Sequence, residues 1–362
     1  MNNSPDTAVE VQELTKHYGP VVALNAVSFA IDSGGYFVLL GPSGGGKTTL
    51  LRLIGGFISP TAGRVLLHGR DVSRLPPNER PTTMVFQSYA LFPHMTVARN
   101  VAYGLKLQKL PKDEIGRKLD RMLELVGLTG LDERMPHELS GGQQQRVQLA
   151  RSLVLERDIL LLDEPLASLD AKLRKDMCLE LKRLQEKVGI TFIHVTHNQE
   201  EAMTIADRIA IIADGALVEE GTPREIYETP VKRFTAGFVG ENNLLDGRAA
   251  GMDGALLAVD LGFGIIHVDP RGEAVAAGEA VSVSIRSELL TLSESADGSQ
   301  TIPATYLEAV YLGLTTSHLV QLPDGAEVAV RRISATSPEA SFAPGQQVMV
   351  GWRTPDARLH VA

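Results

Sequence analysis

The chain has 362 residues and a formal net charge of −9, enough length for two domains and a sizeable core. The acidic balance argues against nucleic acid as the main partner, since phosphate neutralisation needs a basic footprint, and the single cysteine, Cys178, excludes an intrachain disulfide and suits a reducing compartment. No apolar run approaches the roughly 18–20 residues of a membrane span, and the polar residues 1–6 lack a signal core, so we expect a soluble intracellular chain that meets a membrane only through a partner.

Residues 8–14 and 21–31 read as short strands around the turn Tyr18-Gly19-Pro20. On local pattern Tyr18 is an edge aromatic covering apolar surface. It would equally serve as a platform for a nucleotide base, and the local sequence leaves both open. The apolar run 36–40 leads into Gly41-Pro42-Ser43-Gly44-Gly45-Gly46-Lys47-Thr48, followed by Thr49-Leu50-Leu51-Arg52-Leu53-Ile54. Strand, glycine loop, helix is the context that makes a G-x-x-x-x-G-K-[ST] string a phosphate-binding loop. Four glycines let the backbone curl so that successive N–H groups point at phosphate oxygens. The helix that follows adds the positive end of its dipole. Lys47 would bridge the β- and γ-phosphates, and the Thr48 hydroxyl would ligate magnesium.

Past the loop, residues 63–67 and 84–87 are strand-like, and Gln87 closes the second run. A glutamine there is usually a surface amide; near a phosphate-binding loop it can ligate magnesium or orient the attacking water. From 96 to 138 the texture turns helical, with Ile115, Leu119, Met122 and Val126 at helical spacing and Gly127 as a stop. Then comes Leu139-Ser140-Gly141-Gly142-Gln143-Gln144-Gln145-Arg146. Ser140 and Gln143 fit a helix capping box. Two glycines in the first turn each cost about 1 kcal/mol relative to alanine, which favours a second anion site at this helix tip.

The apolar run 159–162 ends in Asp163-Glu164. It reads as a parallel strand buried on both faces, with carboxylates at the end where open α/β sheets bind ligands. Asp163 fits the magnesium-side acid, and Glu164 a general base for water attacking the γ-phosphate. Met177, Leu181, Leu184 and Val188 mark another amphipathic helix; residues 191–197 are strand-like and end in His197, placed to hydrogen-bond the γ-phosphate. Surface roles suffice for His94 and His137. Strands alternating with helices up to about residue 238 imply a mostly parallel α/β sheet.

In this order the motifs resemble those of the ATP-binding subunits of ABC transporters: Walker A at 41–48, the glutamine loop at Gln87, the signature at 139–143, Walker B ending at Asp163-Glu164, a D-loop at Ser168-Leu169-Asp170 and the switch histidine at His197. The resemblance implies two cassettes packed head to tail, with ATP and Mg2+ held between one copy's Walker A loop and the partner copy's signature. ATP would then contact Tyr18 as the adenine-stacking aromatic, Gly41 to Thr48 and Thr49. Ser140, Gly141, Gly142 and Gln143 would face the γ-phosphate of ATP on the other copy. Thr48, Gln87 and Asp163 would be the metal-side groups, and Glu164, His197 and Gln87 the catalytic ones. Residues 85–94 are similar to the importer-type segment that meets a short cytoplasmic helix of the membrane subunit. Arg99 stands where many relatives carry an acid, and Asn198 where aspartate is usual.

Beyond 238, short β-like runs at 281–285 and 319–330, the latter around Pro323-Asp324-Gly325, replace helices. This part resembles the small OB-type (TOBE-like) β barrel, the regulatory domain of importer ATPases for sugars, polyamines, iron or phosphonates; barrel type alone implies no nucleic-acid binding. Ile285-Arg286-Ser287-Glu288 departs from relatives that carry proline after the arginine. The expectation is therefore a P-loop cassette at 1–238, with a helical subdomain at about 92–155, and a β domain at 239–362. The chain would be a peripheral protein on the cytoplasmic face of the inner membrane. It would work with integral-membrane permease subunits and, indirectly, an extracytoplasmic solute-binding protein. Residues 237–244 and 310–313 are most similar to polyamine-importer subunits. The other readings are an importer of ferric iron, sugar or phosphonate, and a soluble non-transport ABC ATPase.

Overall fold

A computed structural model describes residues 6–88, 90–295, 300–334 and 342–361. The chain divides into two compact units, Met1–Pro223 and Arg224–Ala362.

Ten strands of the first unit fall in two sheets. They are β1 (Thr7–Tyr18), β2 (Val21–Asp32), β3 (Tyr36–Leu40), β4 (Ala62–Leu67), β5 (Arg70–Asp71), β6 (Thr82–Val85), β7 (Ile159–Asp163), β8 (Thr191–Thr196), β9 (Arg208–Ala213) and β10 (Ala216–Gly221). The order β10-β9-β3-β8-β7-β6 forms one sheet, in which β9, β3, β8, β7 and β6 are mutually parallel and β10 is antiparallel. Every residue of β3, β7 and β8 is buried, as expected of strands covered on both faces. The order β2-β1-β4-β5 makes a separate antiparallel sheet. Beside the mostly parallel sheet expected up to residue 238, β1 and β2, each 12 residues long and joined by the tight turn at Gly19, pair with each other in this antiparallel one.

Between strands lie α1 (Lys47–Ile54), α2 (Val97–Val101), α3 (Tyr103–Leu107), α4 (Lys112–Leu125), α5 (Gly141–Leu153), α6 (Ala171–Val188) and α7 (Gln199–Ile205). An eight-residue helix is marginal on its own. Helix α1 is held by burial of Leu50, Leu51, Leu53 and Ile54, in a core shared with β1, β2 and β4 and with residues of β7, β8 and β9. Each such side chain contributes about 1.5–3 kcal/mol, so packing rather than propensity fixes the loop ahead of it. Gly127, at φ 67°, follows α4, and Gly189, at φ 69°, closes α6. No described helix is long and apolar enough to cross a membrane.

The second unit starts with two short helices, α8 (Pro223–Glu228), which begins at the boundary, and α9 (Arg233–Phe238). The rest is β structure in two five-stranded antiparallel sheets. One is built around Asn242–Asp253 and Ala280–Arg286, the other around Gln300–Tyr311 and Gln347–Trp352. Their inner faces share one core that includes Val283, Tyr306, Val330 and Trp352. Arg286 is buried and donates to the carbonyls of Val239 and Tyr227, with its guanidinium 4.1 Å above the Tyr227 ring. The next residue explains the departure from proline: Ser287 N–H donates to the Glu241 carbonyl at 3.2 Å, a bond proline cannot make.

Candidate functional site

The glycine loop follows β3, which lies between β9 and β8. Its glycines serve two different needs. A Cβ on Gly41 would lie 2.0 Å from the Ile212 carbonyl oxygen, one on Gly45 2.8 Å from the same atom, and one on Gly46 2.6 Å from the Ala23 oxygen. Those three let the loop press against neighbouring backbone. Gly44 has φ 80° and nothing within 4 Å of a built Cβ, so there the requirement is conformation and open space. Gly46 precedes α1 at φ 104° without a side-chain cap, which leaves the helix's first N–H groups free for an anion. Lys47 is buried and its Nζ donates to the carbonyls of Gly41 and Pro42, at 2.8 Å each. Burial lowers its pKa, opposed by the charges of Glu164 and Asp163. Pro42 and Ser43 span the loop between Gly41 and Gly44, and Thr49 lies in the first turn of α1.

The other motif residues reach this place because parallel strands end together. Leu40 of β3 is in register with Thr196 of β8, and Val195 of β8 with Asp163 of β7. On the far side Val85 of β6 pairs with Leu162. Gln87, Glu164 and His197 therefore follow three neighbouring strands. Thr48 Oγ1 donates to Asp163 Oδ1 at 2.9 Å, which bridges Walker A to Walker B, while Arg52 lies 3.9 Å from the other oxygen. Burial raises the Asp163 pKa, and the Thr48 bond and Arg52 oppose that rise. Glu164 adopts φ 46°, uncommon for a residue with a side chain. Its N–H donates to the Val195 carbonyl. Its carboxylate is shared between Gln87 Nε2 at 3.4 Å and His197 Nδ1 at 3.2 Å.

Tyr18 is 48% exposed at the end of β1, with Lys16 Nζ 5.0 Å from its ring centre; it covers no core. Asp170 caps α6, accepting from Leu173 N–H at 2.9 Å. Asn198 caps α7 by accepting from Glu201 N–H at 3.0 Å, a role in which asparagine equals aspartate. Arg99 is exposed in α2.

Ser140 and Gln143 form the reciprocal capping box of α5. Ser140 Oγ accepts from Gln143 N–H at 3.3 Å, and Gln143 Oε1 from Ser140 N–H at 2.9 Å. The Ser140 hydroxyl proton stays available to another acceptor. A Cβ on Gly142 would meet only ordinary contacts, with Leu173 at 3.6 Å and Met177 at 3.9 Å. Its own chain does not require that glycine. A cleft of about 870 Å³, lined by Arg117, Arg121, Leu153 and Ile190 among others, lies elsewhere in this unit and shares no residue with the motifs.

Several positions escaped the sequence reading. Gln148 of α5 is buried and donates to the carbonyls of Phe86 and Ser88 on either side of Gln87, at 2.9 and 3.2 Å. Arg151, one turn on, donates to the Ala90 carbonyl at 2.7 Å and lies over Phe92. Asn100 fixes the following turn through the backbone of Phe92, Met95 and Thr96. The signature helix thus holds the importer-like segment in place; Tyr89 of that segment lies outside the described residues. The available signal was two polar residues, Gln148 and Arg151, three apart and adjoining the apolar face of α5.

The comparisons agree with this geometry. The ABC transporter family model matches residues 24–167 and the TOBE domain model residues 283–359. The spermidine/putrescine import ATP-binding protein of Rubrobacter xylanophilus is 46% identical over 353 residues, 97% of this chain and 92% of that protein. The protein of the same name from Roseobacter denitrificans is 43% identical over 360 residues, 99% of each. Among solved structures, cbiO1 from Clostridium perfringens, part of the ABC transporter complex cbiONQ, superposes with a TM-score of 0.58 at 31% identity. That match covers 61% of this chain and 90% of that one. With a phosphate loop braced by backbone contacts and relatives that align along almost its whole length, the chain belongs to the ATP-binding proteins of ABC transporters: it is an ATPase coupled to transport that works with membrane-embedded permease partners.

Proposed function

We propose that this chain drives solute import as a head-to-tail homodimer on the cytoplasmic face of the inner membrane, peripheral to its permease subunits. The cargo is a polyamine such as spermidine or putrescine, handed over by an extracytoplasmic solute-binding protein. The observation that carries the catalytic part is the Glu164 carboxylate, held between Gln87 and His197 at neighbouring strand ends. Glu164 accepts the proton of the attacking water, a role typically worth about 10²–10⁴ in rate. His197 and Gln87 orient that carboxylate and the water. Lys47, released from its own loop carbonyls, turns to the β- and γ-phosphates, and the N–H groups of 44–48 cradle them. Tyr18, exposed at the end of β1, stacks on the adenine.

The paired oxygens of Thr48 and Asp163, with the Gln87 amide oxygen, are hard donors that fit Mg2+. No group of three or more His, Cys, Asp or Glu that could hold a metal ion occurs among the described residues; an ion bound through one carboxylate plus substrate phosphates needs none. When bound, it neutralises phosphate charge.

The homodimer is supported by α5. Gly142 has no packing reason within its own chain, and the Ser140 proton is free. Ser140, Gly141, Gly142 and Gln143 therefore meet the γ-phosphate on the other copy, a contribution in trans that can reach about 10³–10⁵ in rate. The polyamine reading is supported by relatives named for spermidine/putrescine import that align over nearly all of the chain.

The test is turnover per chain as the purified protein is diluted, with nucleotide binding followed in parallel. Hydrolysis should fall with dilution while ATP binding persists, and Glu164→Gln should bind ATP and accumulate as dimer without turnover. Turnover independent of concentration would refute the shared site. For cargo, permease complexes reconstituted in vesicles should hydrolyse ATP faster with spermidine-loaded binding protein; stimulation by a sugar instead would overturn the polyamine assignment.

A further inference from the structure

Glu201, in the first turn of α7, is only 5% exposed. Its Oε2 accepts from Thr196 Oγ1 at 2.7 Å and lies 3.6 Å from His194 Nε2; its Oε1 lies 3.5 Å from Arg174 Nε. Neither Arg174 Nε nor His194 Nε2 has a hydrogen-bond partner. Arg174 reaches in the other direction, where Nη2 donates to the Leu169 carbonyl at 2.7 Å. The backbone N–H of Arg174 also donates to the Asp170 carbonyl. Thr196 directly precedes His197, and its Oγ1 also accepts from Asn198 N–H at 3.0 Å. One buried carboxylate therefore ties the 168–170 loop ahead of α6 to the loop that presents His197.

Stability alone is a poor reason for such a group. The gain of a carboxylate near an exposed helix N-terminus is smaller than the cost of taking it out of water. Buried ion pairs of this kind contribute little net stability compared with apolar packing. What the arrangement does fix is geometry. Glu201 holds Thr196, Thr196 sets the departure of the chain at His197, and His197 meets Glu164. Through Arg174 the same carboxylate answers to the backbone of Leu169 and Asp170.

We infer that Glu201 is a positioning residue for ATP hydrolysis, coupling the 168–170 loop to the placement of His197 against Glu164. The inference rests on the ATP-site reading given above. Glu201 touches neither nucleotide nor water; it acts through Thr196 and His197, and Arg174 is its link to the preceding loop.

The test is steady-state ATP hydrolysis by the full-length chain at self-associating concentrations. Glu201→Gln preserves size while removing the charge. It should lower kcat at least about 10-fold, within the range for supporting residues of a site, and leave KM for ATP within about twofold. In a His197→Ala chain the same substitution should add less than about a twofold further loss, because the group it acts through is gone. A structural defect would persist there. Should Glu201→Gln not fold, Arg174→Leu, at a partly exposed side chain, should give the same kcat loss without a KM change, again absorbed by His197→Ala. Unchanged kcat, a KM rise that accounts for the loss, or a full further loss in the His197→Ala chain would each overturn the assignment. Glu164→Gln separates the two levels. If it still turns over, the ATP-site reading fails and the Glu201 role falls with it. If it is inactive while Glu201→Gln and Arg174→Leu are normal, only the Glu201 role is lost.

Discussion

Gly41 and Gly44 lie three residues apart in one loop, yet alanine should do different damage at each. At Gly44 the added methyl meets nothing within 4 Å, and the penalty is that of φ 80° alone, about 1–2 kcal/mol for a residue with a side chain. At Gly41 the methyl carbon would stand 2.0 Å from the Ile212 carbonyl oxygen and 3.0 Å from its carbon. Contacts of this kind need more than 3 Å, so the loop and β9 must part by about 1 Å. That opening strains the ladder at Leu39–Ala210 and Leu40–Ile211. Overpacking costs about 1–3 kcal/mol even where side chains can yield, and each weakened ladder bond adds about 0.5–1.5. The expected loss at Gly41 is therefore about 2–6 kcal/mol, a large share of a domain's total stability. Urea unfolding followed by far-UV circular dichroism, with ATP affinity measured on the same preparations, reads both effects. Gly44→Ala should fold with a modest shift and bind ATP more weakly, since its methyl projects into the open space over the loop. Gly41→Ala should unfold early or fail to accumulate. Equal stability of the two variants would refute the division of the loop into packed and open glycines.

Two further outcomes follow from charges the fold buries. Lys47→Ala removes the only side-chain cation of residues 41–49; at about 1.5–3 kcal/mol per charge-assisted bond and two phosphates, ATP affinity measured by equilibrium titration should fall at least about 100-fold, and normal affinity would contradict the cradle. His194 is fully buried beside Tyr36, its pKa lowered by desolvation to about 3. The native imidazole stays neutral while the unfolded one takes a proton near 6.5, so its stability contribution is complete above that pH and is lost as the pH falls from 6.5 towards 3. By pH 5 the loss is about 2 kcal/mol. A His194→Gln chain should show a flatter decline of unfolding free energy between pH 6.5 and 5; parallel declines would refute the buried neutral histidine.

What sequence alone determined is the set of groups whose meaning lies in close neighbours along the chain. A lysine and threonine after a glycine loop, two acids closing an apolar run and a histidine closing another each carry their context within a few residues. Parallel strands that start from one side of a sheet and end on the other must then gather those ends, so Gln87, Asp163, Glu164 and His197 were legible as one site. The capping box at Ser140 was legible for the same local reason. The tertiary structure decided everything that depends on a partner far along the chain. Gly41 answers to Ile212, 171 residues later, and Gly46 to Ala23. Gln148 and Arg151 matter because α5 packs beside Phe86, Ser88 and Ala90. The sorting of β1, β2, β4 and β5 into their own sheet depends on which edges pair, and half-buried strands of either sheet carry the same two-residue period. Glu200 and Glu201 are adjacent acids in the first turn of α7; only the burial of Glu201 against Thr196 and Arg174 sets it apart, and burial is a property of the folded chain.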